Sequence, residues 1–269
     1  MKSNTSKYRY DRVTMGILMS DFAFSKDSAA PGDLFPDFKV ASTDGKTIAK
    51  EHFLGKRPLL VVFGSATCPM TASSIESLKH LYARFGNRVA FVTLNVREAH
   101  PAENTTQPRT SEQKLEHARR LKQQFDIPWT VASDDIDGTL HRALDTKPNA
   151  AYLMDVDGRI VFRSLWAGDN QALWSALQSV VDQQPLTENE STYTVGPLVR
   201  GLGYFHEVLQ QAGPQAMRDM LLAAPPIAIL GRIAGTLRRL APDNRGIPAF
   251  LILIGTIGAI VGTAVAVFV

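Results

Sequence analysis

Cysteine is all but missing from this chain: one residue, Cys68, in 269. A single thiol cannot close an internal disulfide, which excludes a disulfide-stapled scaffold and fits a reducing compartment. Charge of one sign is lacking too. Lys and Arg total 29 against 26 Asp and Glu, a net of +3, too little to mark a nucleic-acid surface. The excess is local: beyond residue 195 there are six Arg and three acidic residues, so the first 195 balance at 23 against 23. The first ten residues contain no apolar core, so no secretory signal is expected there. None of the six His has a metal-ligand spacing, and neither a metal nor a bound cofactor is expected.

Long hydrophobic runs are also rare, with one exception. Residues 247–269 carry no charge. At about 1.5 Å per residue such a helix crosses the roughly 30 Å hydrocarbon core of a bilayer. Arg232, Arg238, Arg239 and Arg245 precede it, which by the positive-inside tendency keeps everything before it on the cytoplasmic side. The expectation is a single transmembrane helix anchoring a cytoplasmic domain. Gly258 and Gly262 have the spacing that lets two such helices pack, and with it a homodimer.

The rest divides by pattern. Residues 1–30 read as irregular, with Tyr8, Tyr10, Phe22 and Phe24 as docking points. From 31 to 183 the order is that of an α/β sandwich with a mixed sheet. A hairpin turns at Asp44-Gly45, and a buried-type strand covers 59–63. A helix over 71–85 has Ile75, Leu78, Leu81 and Phe85 on one face. A second parallel-type strand spans 89–96, a charged helix 114–125, a short strand 129–132 and a short helix 138–144. A second hairpin turns at Asp157-Gly158, and a helix over 171–181 closes the domain. Residues 184–246 read as a linker and an amphipathic basic segment, with 217–237 lying on a membrane or packed on the domain.

The lone cysteine sits in Gly64-Ser65-Ala66-Thr67-Cys68-Pro69, between the strand at 59–63 and the helix that follows. Backbone N–H groups at a helix N-terminus favour a thiolate, lowering a free thiol from about 8.5, and Pro69 suits the first helical turn. A dithiol site would place its second cysteine at position 71, which is Thr71, so the site is monothiol. Ser65, Thr67 and Thr71 are candidates to support the thiolate. Glu98-Ala99-His100-Pro101 follows the neighbouring strand and opens on the same sheet edge. There His100 can move a proton while Glu98 orients it or pairs with its cation. The other histidines read as surface or helix-face residues. Pro148, just before the second hairpin, stands where thioredoxin folds carry a cis-proline beside the reactive cysteine, and Asn149 can contact substrate or only shape the turn.

These motifs resemble the iodothyronine deiodinase family and its cysteine-containing bacterial relatives, within the thioredoxin/redoxin superfamily. The resemblance covers most of 31–183 and is strongest at 57–69 and 97–101. It implies a thioredoxin-like fold, with Cys68 at the position usually filled by selenocysteine and Glu98 and His100 assisting reductive removal of iodine. Two departures stand out: sulfur replaces selenium, and the expected anchor is C-terminal where the animal enzymes carry theirs at the N-terminus. The expected function is a membrane-anchored thiol oxidoreductase acting on a soft electrophile. An external thiol, glutathione or thioredoxin, would restore the cysteine. Two other readings stay open, a monothiol peroxiredoxin-like peroxidase and a non-catalytic thioredoxin-like module at a membrane. The peroxiredoxin pattern is half met, since Ser65 fits it and Val61 stands at its proline position.

Overall fold

The computed structural model describes residues 8–268, with side chains through 260 and at 263. The chain runs α1 (Met15–Ser20), β1 (Lys39–Ser42), β2 (Thr47–Ala49), β3 (Leu59–Gly64), α2 (Pro69–Phe85), β4 (Ala90–Asn95), α3 (Ser111–Gln124), β5 (Thr130–Ser133) and α4 (Thr139–Leu144). It continues through β6 (Ala151–Met154), β7 (Ile160–Ser164), α5 (Asn170–Val181) and β8 (Glu190–Ser191). Four helices follow, α6 (Val195–Ala212), α7 (Pro214–Ala223), α8 (Pro225–Thr236) and α9 (Gly246–Phe268).

The strands form one mixed sheet in the order β2-β1-β5-β4-β3-β6-β7-β8. β3 and β4 are parallel, with Gly64 opposite Asn95, and β3 is antiparallel to β6. Both central strands are buried throughout, as strands covered on both faces must be. Alternation then splits β3 between two cores. Leu60 and Val62 pack with Ile75, Leu78, Leu81 and Phe85 of α2 and with Leu173 and Leu177 of α5. Leu59, Val61 and Phe63 face the opposite layer, with Phe35, Phe53, Leu144 and Tyr152. Both expected hairpins form, and Gly45 and Gly158 take the left-handed backbone their turns require (φ 78° and 82°). The result is a thioredoxin-like α/β sandwich, in which the ends of β3 and β4 open side by side.

The stretch 184–246, expected as a linker and an amphipathic basic segment, folds as β8, paired with β7, and as α6 to α8, with α6 packed on α2. Pro214 and Pro225 occupy the first turns of α7 and α8, where a missing N–H costs nothing, so they begin helices rather than break them. A third core joins these helices to Ala72, through Phe205, Leu209, Met217, Met220 and Ala228. Glycines allow the close approach: a Cβ on Gly201 would lie 2.7 Å from Met70 Sδ, and one on Gly231 would lie 2.2 Å from Phe205 Cδ1. The 217–237 segment therefore packs on the domain.

The membrane-spanning anchor expected over 247–269 is corrected. Among the described residues no helix is long and apolar enough to cross a membrane. The first turn of α9 is docked on protein instead. Ala249 is fully buried, and Gly246 sits so near Val199 that a Cβ would lie 2.0 Å from its carbonyl oxygen. Arg245, read as a flanking charge, is buried and pairs with Glu207 at 2.8 Å while donating to the Leu240 carbonyl at 2.9 Å. The surroundings of Gly262, like Val269 and residues 1–7, lie outside what is described.

Candidate functional site

Cys68 is the N-cap of α2, with an extended backbone (φ −102°, ψ 113°) and Pro69 in the first turn. Its carbonyl accepts from Ala72 N at 3.1 Å, so the sulfur sits at the first turn of the helix. The expected thiolate is nevertheless overturned. Cys68 is only 2% exposed, and this burial pushes the thiol up to about 11, against the lowering influence of the Thr71 N–H and hydroxyl and of the Met70 N–H. Desolvation of a full charge outweighs a helix end. Around the sulfur stand Met70, Ala99, Leu165 and Trp166, with Phe24 and Leu198 partly buried beside them. This surrounding is apolar and aromatic.

The loop before Cys68 is tied to the loop after β4. Ser65 Oγ accepts from Ala99 N at 3.2 Å, and Ser65 N donates to Thr71 Oγ1 at 3.3 Å. Thr67 carries most of the join: its hydroxyl donates to Glu98 Oε2 at 2.7 Å and accepts from His100 N at 3.1 Å. Its backbone N–H reaches the same Glu98 oxygen at 3.2 Å. Of the three candidates to support the thiolate, Thr71 faces the thiol with its N–H and hydroxyl, while the Ser65 and Thr67 side chains bind the loops.

Glu98 is fully buried and does not pair with His100, contrary to expectation. Its other oxygen lies 2.8 Å from His117 Nδ1. The expected Glu98–His100 pair is therefore replaced by Glu98–His117, bridged to the His100 backbone by Thr67. His117 was taken for a helix-face residue. Its spacing carried a signal, since it lies three residues after Lys114 and four before Leu121, both buried on α3. His100 itself is 7% exposed with no partner for Nδ1 among the described residues. Burial pushes it down to about 4, so the imidazole is neutral.

Pro148 is corrected in its isomer: no peptide bond among the described residues is cis. The trans carbonyl of Lys147 is held 2.8 Å from buried His141 Nε2. Asn149 is fully buried and donates to Phe63 O at 3.1 Å, tying the start of β6 to the end of β3. Tyr10, expected as a docking point, and Asp21, which the sequence pattern does not single out, stand near the sulfur. Tyr10 donates to Ala99 O at 3.0 Å. Asp21 is buried beside Arg97, and burial pushes its carboxyl up to about 7.

A type II iodothyronine deiodinase of Neoceratodus forsteri is 30% identical over 129 residues, covering 41% of this chain and 45% of its own length. One from Gallus gallus is 30% identical over the same extent, covering 43% of its length. The chain thus spans less than half the length of these curated relatives. An uncharacterized conserved protein from Geobacillus kaustophilus shares the fold, with a TM-score of 0.51 at 16% identity over 63% of this chain and 90% of its own. The sequence model of the family described as iodothyronine deiodinase matches residues 11–170, from the segment over the cysteine to the first residue of α5, and the chain belongs to that family.

Proposed function

We propose that the protein is a thiol-dependent oxidoreductase in which Cys68 attacks a soft, polarisable atom, with reductive dehalogenation of an aromatic ring as the leading reaction. The observation that carries it is the placement of one thiol at a helix N-terminus within a buried apolar and aromatic cluster, with no second cysteine in the chain. For a substrate E–L, the sulfur forms a bond to E, the E–L bond breaks, and its electron pair leaves on L with the thiol proton. When E is iodine, L is the ring carbon. An external thiol then displaces E from Cys68, and a second thiol closes the cycle as a disulfide. We assign the passage of the proton to His100, whose Nδ1 has no partner among the described residues, once opening of the site returns water to its ring and relieves the burial that holds it neutral. Glu98 acts at one remove, holding the His100 loop through Thr67 and His117.

Mass spectrometry of Cys68 after exposure to an iodophenol, hydrogen peroxide or a small disulfide, with and without glutathione, tests this. The expected result is iodide release from the iodophenol that needs glutathione and is lost in Cys68→Ser. Modification by peroxide alone would favour a peroxidase. An unmodified Cys68 in every arm, or iodide release that survives Cys68→Ser, would overturn the reading.

A further inference from the structure

A sulfur 2% exposed cannot meet a substrate without something moving. The floor of the site is fixed by the buried bonds between the two loops, and α6 is seated on α2 at the Gly201–Met70 contact. The rest of the cover is Leu165 and Trp166, after β7, and the segment 8–24, which brings Phe24 against the same cluster. Its Tyr8 ring lies between the Arg97 guanidinium (5.3 Å) and the Lys114 ammonium (5.5 Å), with the hydroxyl 2.9 Å from His141 Nδ1. Tyr10 spans to Ala99, and Phe22 stacks on Trp166 with ring centroids 6.1 Å apart. Ala99 and Trp166 belong to the same buried cluster as Cys68.

This cover is held from outside the domain. Arg12 and Val13 N both bind Asp219 of α7, at 2.8 and 3.1 Å. The Arg12 side chain is itself 58% exposed, whereas Asp219 is buried. The segment thus bridges two halves of the molecule across the site, and one of its latches is open to solvent on one side.

Asp21 lies within the same segment, 9% exposed; its backbone N–H donates to Leu18 O at 3.0 Å, while its carboxyl has no hydrogen bond or ion pair among the described residues. Its neighbours are Arg97, Lys147, Asp145, Tyr10 and Cys68. Lys147 is 3.6 Å from buried Asp145 and donates to Ser20 O at 2.6 Å, while Arg97 is shared with the Tyr8 and Thr146 carbonyls. No cation is left dedicated to Asp21, so closing the segment over an ionised carboxylate is costly.

We propose that residues 8–24 are a strap that gates Cys68, shut while Asp21 is protonated and released as it ionises. It rests on the function proposed above, since a gate matters only where Cys68 must meet a substrate. Opening returns water to the sulfur while leaving it at the helix N-terminus, so access and thiolate formation rise together. The sign follows from the raised carboxyl. The closed state holds the proton more tightly than the open one, so closure is strongest below the ordinary carboxyl range near 3.8. Closure weakens on the order of tenfold per pH unit as pH rises toward about 7, then levels off.

Hydrogen exchange of residues 8–24, corrected for the intrinsic pH dependence of exchange, tests this at pH 5, 6, 7 and 8. Wild type should open tens of times more often at pH 7 than at pH 5 and change little above. Asp21→Asn should remove the slope and stay shut, with its circular dichroism unchanged. Arg12→Ala, at an exposed position, should raise both strap exchange and maleimide labelling of Cys68 at pH 7 by about fivefold. A flat wild-type profile, a slope that survives Asp21→Asn, or labelling unmoved by Arg12→Ala overturns the gate. These readouts need no turnover. A strap that moves as expected on a protein inert toward every electrophile would sink the proposed function alone.

Discussion

Thr67→Val is the sharpest probe of how the site is built. Valine keeps the shape of threonine and deletes one hydroxyl, which is buried, donates to Glu98 Oε2 at 2.7 Å and accepts from His100 N at 3.1 Å. Glu98 keeps the Thr67 N–H and His117, so its loss is one bond to a carboxylate, about 1.5–3 kcal/mol. The His100 N–H loses its partner inside the protein, which costs a further 1–3 kcal/mol or so. Together the substitution should destabilise the fold by roughly 3–5 kcal/mol, a large share of the 5–15 kcal/mol typical of a domain. Urea unfolding followed by circular dichroism measures it as a lower midpoint with unchanged slope. Thr67→Ser keeps the hydroxyl and should recover most of the loss. A cost below about 1 kcal/mol for valine, or serine as damaging as valine, would refute the claim that this hydroxyl joins the loops.

In Asp21→Asn, whose strap stays shut, the pH profile of Cys68 alkylation by iodoacetamide should have its midpoint well above the ordinary 8.5 or so, because burial pushes the thiol up to about 11; a midpoint below 8 contradicts the burial argument. The same shift makes the unfolded chain lose its thiol proton first, so stability should be intact below about pH 8.5 and decline from there toward pH 11. Cys68→Ala should flatten that part of the stability curve. In the helical layer, Gly231→Ala places a methyl 2.2 Å from Phe205 Cδ1 and should cost about 1–3 kcal/mol or more by overpacking. Gly255→Ala in α9 meets nothing within 4 Å and should be neutral or slightly stabilising. Thermal unfolding of the pair decides it, and equal melting points would mean that α8 does not need the close approach.

Local patterns carried the sandwich because each of its elements is decided by neighbours in sequence. The spacing of Ile75, Leu78, Leu81 and Phe85 is the buried stripe of α2, and the Asp-Gly pairs at 44–45 and 157–158 turn the two hairpins. Cys68 and the 98–100 loop were legible for the same reason, since two parallel strands must end side by side. What the pattern could not supply was the partner across a gap. Periodicity turns His117 inward but does not say that it meets Glu98. Asp21 and Tyr10 lie in a stretch with almost no periodicity, and their role depends on the chain doubling back over Trp166. The C-terminal layer was misread for a related reason. Its glycines and prolines look like breaks until a partner helix is present, when Gly201 and Gly231 become contact points and Pro214 and Pro225 helix starts.

The protonation of Cys68 shows why a motif is not yet a chemical state. A cysteine at a helix N-terminus is expected to ionise easily, and the donors that favour this, the Thr71 and Met70 N–H groups, are in place. They are overruled by groups far away in sequence: Trp166 after β7, Leu198 on α6, and Phe24 on the strap. A motif of six residues has no knowledge of these. The two influences are separable, because the helix end is fixed by the backbone of α2 whereas part of the cover is a segment latched through a half-exposed arginine. Removing water from a thiol protects it from oxidation and from ionisation alike. A chain with one cysteine, which cannot shelter a sulfenate as an internal disulfide, gains from keeping that thiol protonated until the cover lifts.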